Sequence, residues 1–428
     1  MTTPLRLGIA GLGTVGVGVV RIVRTHAALL QARTGRDIQI TAVSARDQSR
    51  DRGINLSHYA WESDPVALAK RDDIDIYVEL MGGADGPALD SVRAALETGK
   101  DVVTANKAML AMHGHELAKL AEEKGRIIRF EAAVAGGIPV IKALNEGLAG
   151  NEITRVMGVM NGTCNYILTR MESAGLPYAT VFQEANDLGY LEADPTLDVG
   201  GIDAGHKLAL LSAIAFGTRP DFSGMELEGI ERISIDDIRQ AADMGYRIKL
   251  LGVAQRTGRG LEQRMQPCLV PMESPLGQLE GGTNMVVIEG DAVEQIVLRG
   301  PGAGQGPTAS AVMGDVCDLA RGFRMPTFGR PADMLDELPA AMSSLPAPYY
   351  LRMGLIDKPG ALAKIAMILG NSGVSIDRMR QYSHSATSAP VLIVTHKTTR
   401  SALDEALAAM ESTDVIASAP VALRIESV

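Results

Sequence analysis

With 428 residues, 46% of them hydrophobic and 21% charged, the chain is long enough for two or three domains and has an ordinary globular composition. A formal net charge of -10 and a pI near 5.3 give no electrostatic support to a nucleic-acid or anionic-membrane partner. Cys164, Cys268 and Cys317 stand far apart in no CxxC spacing, and the sequence shows neither a signal-peptide pattern nor a run of about eighteen apolar residues. A disulfide framework, a structural zinc site and a membrane span are therefore not expected, and a reducing cytoplasm is.

Residues 5–10 (LRLGIA) suit a buried parallel strand, and GLGTVG follows at once with Gly11, Gly13 and Gly16. Residues 15–31 then have the length and apolar content of one helix. Between strand and helix the first glycine allows a tight turn, the second a close approach to a pyrophosphate, and the third close helix–strand packing. Amides at the helix start, in the turn Leu12-Gly13-Thr14-Val15, would face the anion. After a second strand (38–43) come Ser44, Ala45 and Arg46, with Asp47 next. Arg46 suits the 2′-phosphate of NADP, while Asp47 keeps NAD open.

Runs at 75–80, 91–99, 101–107, 115–125 and 126–134 continue a strand–helix alternation, the pattern of a Rossmann-like, doubly wound parallel sheet. Ligands lie beyond the C-terminal ends of such strands, which here carry Gly82, Thr104, Lys107 and the stretch from Glu131 to Pro139. Residues 1–134 read as a dinucleotide-binding domain and 135–306 as an α+β substrate and catalytic domain. A helix near 307–325 is expected to pack back on the first domain. NGTCNYIL (161–168) carries a strand end and a helix start.

In the stretch GYLEADPTLDVGGIDAGHK, Asp203 and Lys207 are four apart, hence on one face of a helix. An exposed pair there would contribute about 0.3–0.5 kcal/mol. The apolar LALLSAIAF that follows implies a buried helix instead, with the charges lining a cleft and Asp203 favoured by the macrodipole. His206 reads as structural rather than as a base. Glu192, Asp194 and Asp198 match no EF-hand spacing, so a divalent cage is not expected. GPGAGQG (300–306) lacks the Lys-Ser/Thr of a P-loop and suits a loop closing over a nicotinamide edge.

Residues 337–348, rich in proline and alanine, read as a linker, and 349–428 follow a β-α-β-β-α-β order, a ferredoxin-like sandwich.

GLGTVG, VVTANK, NGTCNYIL, GYLEADPTLDVGGIDAGHK and GPGAG, in that order, resemble the homoserine dehydrogenase family over residues 5 to about 330. The resemblance implies NAD(P)-dependent interconversion of L-homoserine and L-aspartate 4-semialdehyde on the route to threonine, methionine and isoleucine. It implies Lys207 as general acid/base, Asp203 as its partner, and Lys107 as a second lysine shared by substrate and nicotinamide. Glu192 would receive the substrate ammonium, with Asp198, Gly162, Thr163 and Tyr190 in the same pocket and Gly302 at the cofactor. EAAVAGGI resembles that family's sodium loop, with the Glu131 side chain and the carbonyls of Val134, Gly136 and Ile138 as ligands. LIDKPGALAKIAMILGNSGVSI resembles an ACT domain, an amino-acid-binding module of subunit interfaces. It implies Asp357, Gly360, Ala361 and Asn371 around an effector, threonine being the obvious one, and a homo-oligomer (dimer or tetramer). Two rivals stand beside this reading: a phosphorylating semialdehyde dehydrogenase using Cys164 with His206 as base, and a non-catalytic amino-acid sensor.

Overall fold

The computed structural model describes residues 3–191, 194–341, 345–381 and 389–427. Six short strands form the first sheet: β1 (Leu5–Ala10), β2 (Ile38–Ser44), β3 (Ala60–Glu62), β4 (Ile76–Glu79), β5 (Asp101–Thr104) and β6 (Ile128–Arg129). They are parallel and ordered β3-β2-β1-β4-β5-β6, so the strand order reverses beside β1, where GLGTVG emerges. Apolar side chains on both faces explain the parallel arrangement: Leu7, Ile9, Val78 and Val103 on one face and Tyr77 and Val102 on the other are all fully buried.

Two local expectations are corrected. Residues 15–31 do not form one helix. Thr14–Thr25 and Ala27–Thr34 are separate helices, broken at His26 (φ -112°, ψ 19°), and neither Thr25 nor His26 favours a helix interior. The run 126–134 pairs only at Ile128–Arg129. Beyond it the Glu131 amide donates to Asp315 (2.8 Å), and the Glu131 carboxylate accepts the amides of Ile141 and Lys142 (2.9 Å each). Those bonds draw the chain out of the sheet into a 3₁₀ turn at Glu131–Ala133.

A second sheet contains β7 (Ile153–Val159), β8 (Glu226–Leu227), β9 (Tyr246–Thr257), β10 (Gly260–Pro271), β11 (Thr283–Gly290), β12 (Glu294–Pro301), β13 (Tyr349–Leu355), β14 (Ile376–Gln381), β15 (Ala389–Thr395) and β16 (Ile416–Ile425). Its order is β12-β11-β7-β9-β10-β16-β13-β15-β14, with β8 off β10. The helix Gln305–Ala320 returns to the first domain. A Cβ on Gly18 would lie 2.8 Å from the Gln305 carbonyl oxygen, so the two helices meet there backbone to backbone.

The C-terminal module is less separate than its linker suggests. Strand β16 pairs in parallel with β10 at Cys268↔Arg424 and Leu269↔Ile425, joining both units into one sheet. The helices Ala361–Asn371 and Arg400–Glu411 cover one face of the module through Leu351, Met353, Ile365 and Leu403. Its other face places Tyr350, Leu392, Val394 and Leu423 in the core shared with the middle domain. The start of the linker also hugs β10, with Leu261 bonded to both Pro339 and Ala341 (3.0 and 2.9 Å). Among the described residues no helix is long and apolar enough to cross a membrane.

Candidate active site

At the mouth of β1, Gly11 adopts φ +98°, and a Cβ there would lie 2.4 Å from the Leu80 carbonyl oxygen. A Cβ on Gly16 would meet the Gly11 oxygen at 2.0 Å, so both positions require glycine. Gly13 is different: nothing lies within 4 Å of its missing Cβ, and it caps the helix Thr14–Thr25 without a side-chain bond. This leaves an open cradle beside first-turn amides, which fits a pyrophosphate. Arg46 is exposed just past β2. The Asp47 carboxylate turns back to accept the Ser49 hydroxyl and amide (2.6 and 2.8 Å), which hold it below the usual carboxylate range. Arg52 is a residue the sequence reading missed. It donates to the Leu12 carbonyl (3.2 Å) and the Asp47 carbonyl (2.6 Å), lying 5.5 Å over the Trp61 ring. Nothing local in the sequence separates it from Arg50.

The loops after β4 and β5 are tied together from beneath. Glu79 is fully buried, and burial pushes its carboxyl up. One oxygen accepts the amides of Met81 (2.7 Å) and Gly82 (3.2 Å), and the other accepts the Thr104 hydroxyl (2.6 Å). The Thr104 oxygen in turn accepts the Asn106 amide (2.9 Å). Asn106 caps the helix Lys107–Glu123 through Met109 (3.1 Å) and donates to Gly83 (2.7 Å). The side chain of Thr104, expected at the cofactor, is therefore committed to Glu79 and supports the loop from below. Lys107, first in that helix, is aimed by the same network.

Lys107 and Lys207 meet at one carboxylate. Lys107 Nζ lies 2.9 Å from Asp203 Oδ1, and Lys207 Nζ donates to Asp203 Oδ2 (2.7 Å) and to the Met160 carbonyl (2.8 Å). Asp203 stands in the first turn of Ile202–Phe216, whose apolar remainder (Leu208, Leu210 and Leu211 are fully buried) holds the pair inside the protein. Burial alone would raise the Asp203 carboxyl, but the two ammonium groups more than offset this and keep it ionised. Asn161, unflagged by sequence, caps the helix Gly162–Ala174 and also donates to Asp198 (2.9 Å) and Asp203 (3.2 Å). Its capping position was visible in the sequence; its second role needs the fold.

These groups open on a cavity of about 610 Å³ that Thr14 and Val15 of the glycine turn also line, with Gly162, Thr163, Tyr190 and Gly302 along its walls. Thr163 donates to the Tyr190 carbonyl (2.9 Å), and Tyr190 stacks on Tyr166 (4.7 Å). The ammonium one helical turn past the acidic loop thus shares a cleft with the dinucleotide turn. Glu192 lies outside the described residues.

Three family models match in sequence: a homoserine dehydrogenase NAD-binding domain at residues 11–131, homoserine dehydrogenase at 139–317 and an ACT domain at 349–414. A homoserine dehydrogenase of Neisseria gonorrhoeae is 43% identical, covering 99% of each chain. The chain belongs to the homoserine dehydrogenase family. A crystal structure of a homoserine dehydrogenase from Thiobacillus denitrificans superposes with a TM-score of 0.94 at 40% identity, over 99% of each chain. A hyperthermophilic archaeal homoserine dehydrogenase mutant in complex with NADPH matches at TM-score 0.65 and 28% identity, over 75% of this chain and 99% of that one.

Within this homoserine dehydrogenase fold the thiol rival fails. Cys164 is fully buried, donates to the Asp198 carbonyl (3.2 Å), and is pushed well up by burial and by Asp198 and Asp203, the reverse of an activated thiolate. His206 packs on Phe222 (4.3 Å), and burial lowers its pKa. Asp194 accepts from Thr196 (2.6 and 3.0 Å) as a helix cap, and no metal-ligating group of three His, Cys, Asp or Glu occurs among the described residues.

Glu131 is 2% exposed; burial and Asp315 push its carboxyl up to about 7. Gly136, in the same loop, has φ +55°, and its missing Cβ would lie 2.4 Å from the Gly302 oxygen. The EAAVAGGI loop and the GPGAG loop are therefore in contact. At the ACT domain, Asp357, Gly360 and Ala361 cluster where Ala361–Asn371 begins. Asn371 ends that helix, about 15 Å further along its axis.

Proposed function

We propose that the chain interconverts L-homoserine and L-aspartate 4-semialdehyde reversibly, with NADP preferred over NAD. The observation that carries this reading is the sharing of Asp203 by Lys207 and Lys107 inside the cavity onto which the glycine turn opens. The bound nicotinamide would accept or supply the hydride. Of the three hydrogens on the Lys207 ammonium, Asp203 and the Met160 carbonyl take two. The third is free for the substrate oxygen, where it stabilises developing negative charge and then transfers. In the oxidative direction the same nitrogen, having lost its proton, accepts that of the hydroxyl. Lys107 would meet the substrate carboxylate and the nicotinamide, and Asp198, Gly162, Thr163 and Tyr190 line the cavity that would take the amino-acid end. The family resemblance gives the ammonium to Glu192, which lies outside the described residues. Arg46 supports NADP, with Asp47 occupied by Ser49. So does the NADPH bound by the archaeal relative.

The reaction serves threonine, methionine and isoleucine synthesis in the cytoplasm, and threonine acts at the ACT domain. Asp357, Gly360 and Ala361 sit at the opposite end of their helix from Asn371, so one ligand meets all four only if a second copy contributes. That supports a homo-oligomer. Reduction of NADP by the full-length protein should require homoserine, need no phosphate and slow when millimolar threonine is added. Absence of the homoserine requirement sinks the proposed reaction, and indifference to threonine sinks the effector.

A sodium ion fits the Glu131 loop because a buried carboxylate lacks a full countercharge there. With a folded value near 7, above the ordinary value of about 4.3, Glu131 costs the fold stability as pH climbs between the two. Sodium held by Glu131 and by the carbonyls of Val134, Gly136 and Ile138 would offset that cost and stiffen the loop against Gly302. Replacing choline chloride by sodium chloride should therefore raise the thermal midpoint at about pH 8 but not near pH 5. The same rise at both, or its persistence in Glu131→Gln, removes the ion from this loop.

A further inference from the structure

Among the described residues that line the active-site cavity, Asn284 alone carries a buried polar side-chain atom without a hydrogen-bond partner. The residue is 2% exposed, and the orphan is Oδ1. A buried amide oxygen left unmet loses its water without compensation, so native proteins rarely keep one that no ligand or water completes.

Its place in the sheet identifies the ligand. Asn284 belongs to β11 and pairs with Gly300 of β12. Its neighbour Met285 pairs with Val159, one residue before the Met160 whose carbonyl holds Lys207. Asn284 therefore lies one strand, about 4.8 Å, across from the segment that aims the catalytic ammonium. On its other side the amide is pressed against the GPGAG loop: a Cβ on Gly302 would lie 1.9 Å from Nδ2 and 2.1 Å from Cγ. That loop runs directly into the helix packed on the dinucleotide helix at Gly18.

The charged ends of an amino-acid substrate call for charged partners, which Asp198, Asp203, Lys107 and Lys207 supply. A neutral amide, with one acceptor and one NH2, instead complements another neutral amide. We propose that Asn284 hydrogen-bonds the nicotinamide carboxamide and so sets the rotation of the ring against Lys207. The inference rests on the reading above only in placing the ring at Lys207. A pinned carboxamide keeps one face of the ring towards the substrate, whereas a free one would let the ring turn.

The test is direct binding of NADPH by its fluorescence, without homoserine, in the wild type, Asn284→Ala and Asn284→Asp. The alanine variant should bind NADPH about 10- to 100-fold more weakly. Its affinity for the reduced 3-acetylpyridine analogue, which lacks the amide N–H, should change about threefold or less. The aspartate variant keeps the shape and adds a negative charge. It should favour the oxidised, positively charged cofactor over NADPH by about tenfold more than the wild type does. Equal weakening for both reduced dinucleotides together with an unmoved redox preference overturns the proposal. So does normal NADPH binding with only the homoserine KM raised, which would assign Asn284 to the substrate ammonium. A wild type that binds NADPH but does not oxidise homoserine would refute the proposed reaction, and the binding comparison would still decide the role of Asn284.

Discussion

Replacing Lys207 by alanine is expected to lower turnover by about 10²–10⁴-fold while leaving NADPH affinity nearly intact. Its ammonium is fixed by two acceptors, Asp203 at 2.7 Å and Met160 at 2.8 Å, which leaves one donor aimed into the cavity. Lys107 is no substitute, because it reaches the other oxygen of Asp203 from a different helix and is 30% exposed. The fold should survive. Asp203 keeps Lys107 as its countercharge, so truncation leaves no buried carboxylate unpaired. The dinucleotide cradle at Gly13 belongs to another domain and should not sense the change. Steady-state rates and direct NADPH binding, measured on the same preparation, separate the two effects. Turnover within a few fold of wild type would take Lys207 out of the mechanism. Loss of NADPH binding in parallel would show that the lysine holds the cofactor rather than the proton.

The parts of this arrangement that the sequence makes legible are those whose partners lie close in the chain. Strand, glycines and helix follow one another within residues 5–25, so the first sheet and its phosphate turn can be read directly. Asp203 and Lys207 are one helical turn apart, and the apolar run behind them reveals their burial. Hidden are the groups that hold these in place from a distance. Glu79 meets Thr104 across two adjacent strand ends. Asn161 reaches both Asp198 and Asp203, and Asn284 packs on Gly302. None of these carries a spacing that marks its partner. The same holds for the C-terminal module. Its β-α-β-β-α-β pattern is local and legible, whereas the union of β16 with β10 joins residues 268 and 424 through backbone bonds that no side-chain pattern encodes.

That union predicts the largest effect on stability. Glu426, just past β16, is 4% exposed and meets three guanidinium groups. Arg264 Nη2 lies at 2.6 Å, Arg424 Nε at 2.6 Å, and Arg155 is also in contact. Arg264 is 1% exposed, and its other carboxylate is Glu262 at 2.9 Å. Glu426→Gln preserves the shape but leaves three cations around a single remaining buried carboxylate, which should cost about 3–5 kcal/mol. Guanidiniums do not deprotonate, so the charge cannot be shed to soften the penalty. Arg155 is on β7, which runs on to Met160, and Arg264 is on β10, so the strain falls on the junction between the ACT and catalytic units. Denaturant unfolding should show an early transition for Glu426→Gln. Adding Arg155→Gln should recover part of the loss, because one of three opposing charges is then gone. If the single variant unfolds with the wild type, or the second substitution only adds to the damage, the cluster is not what joins the two units.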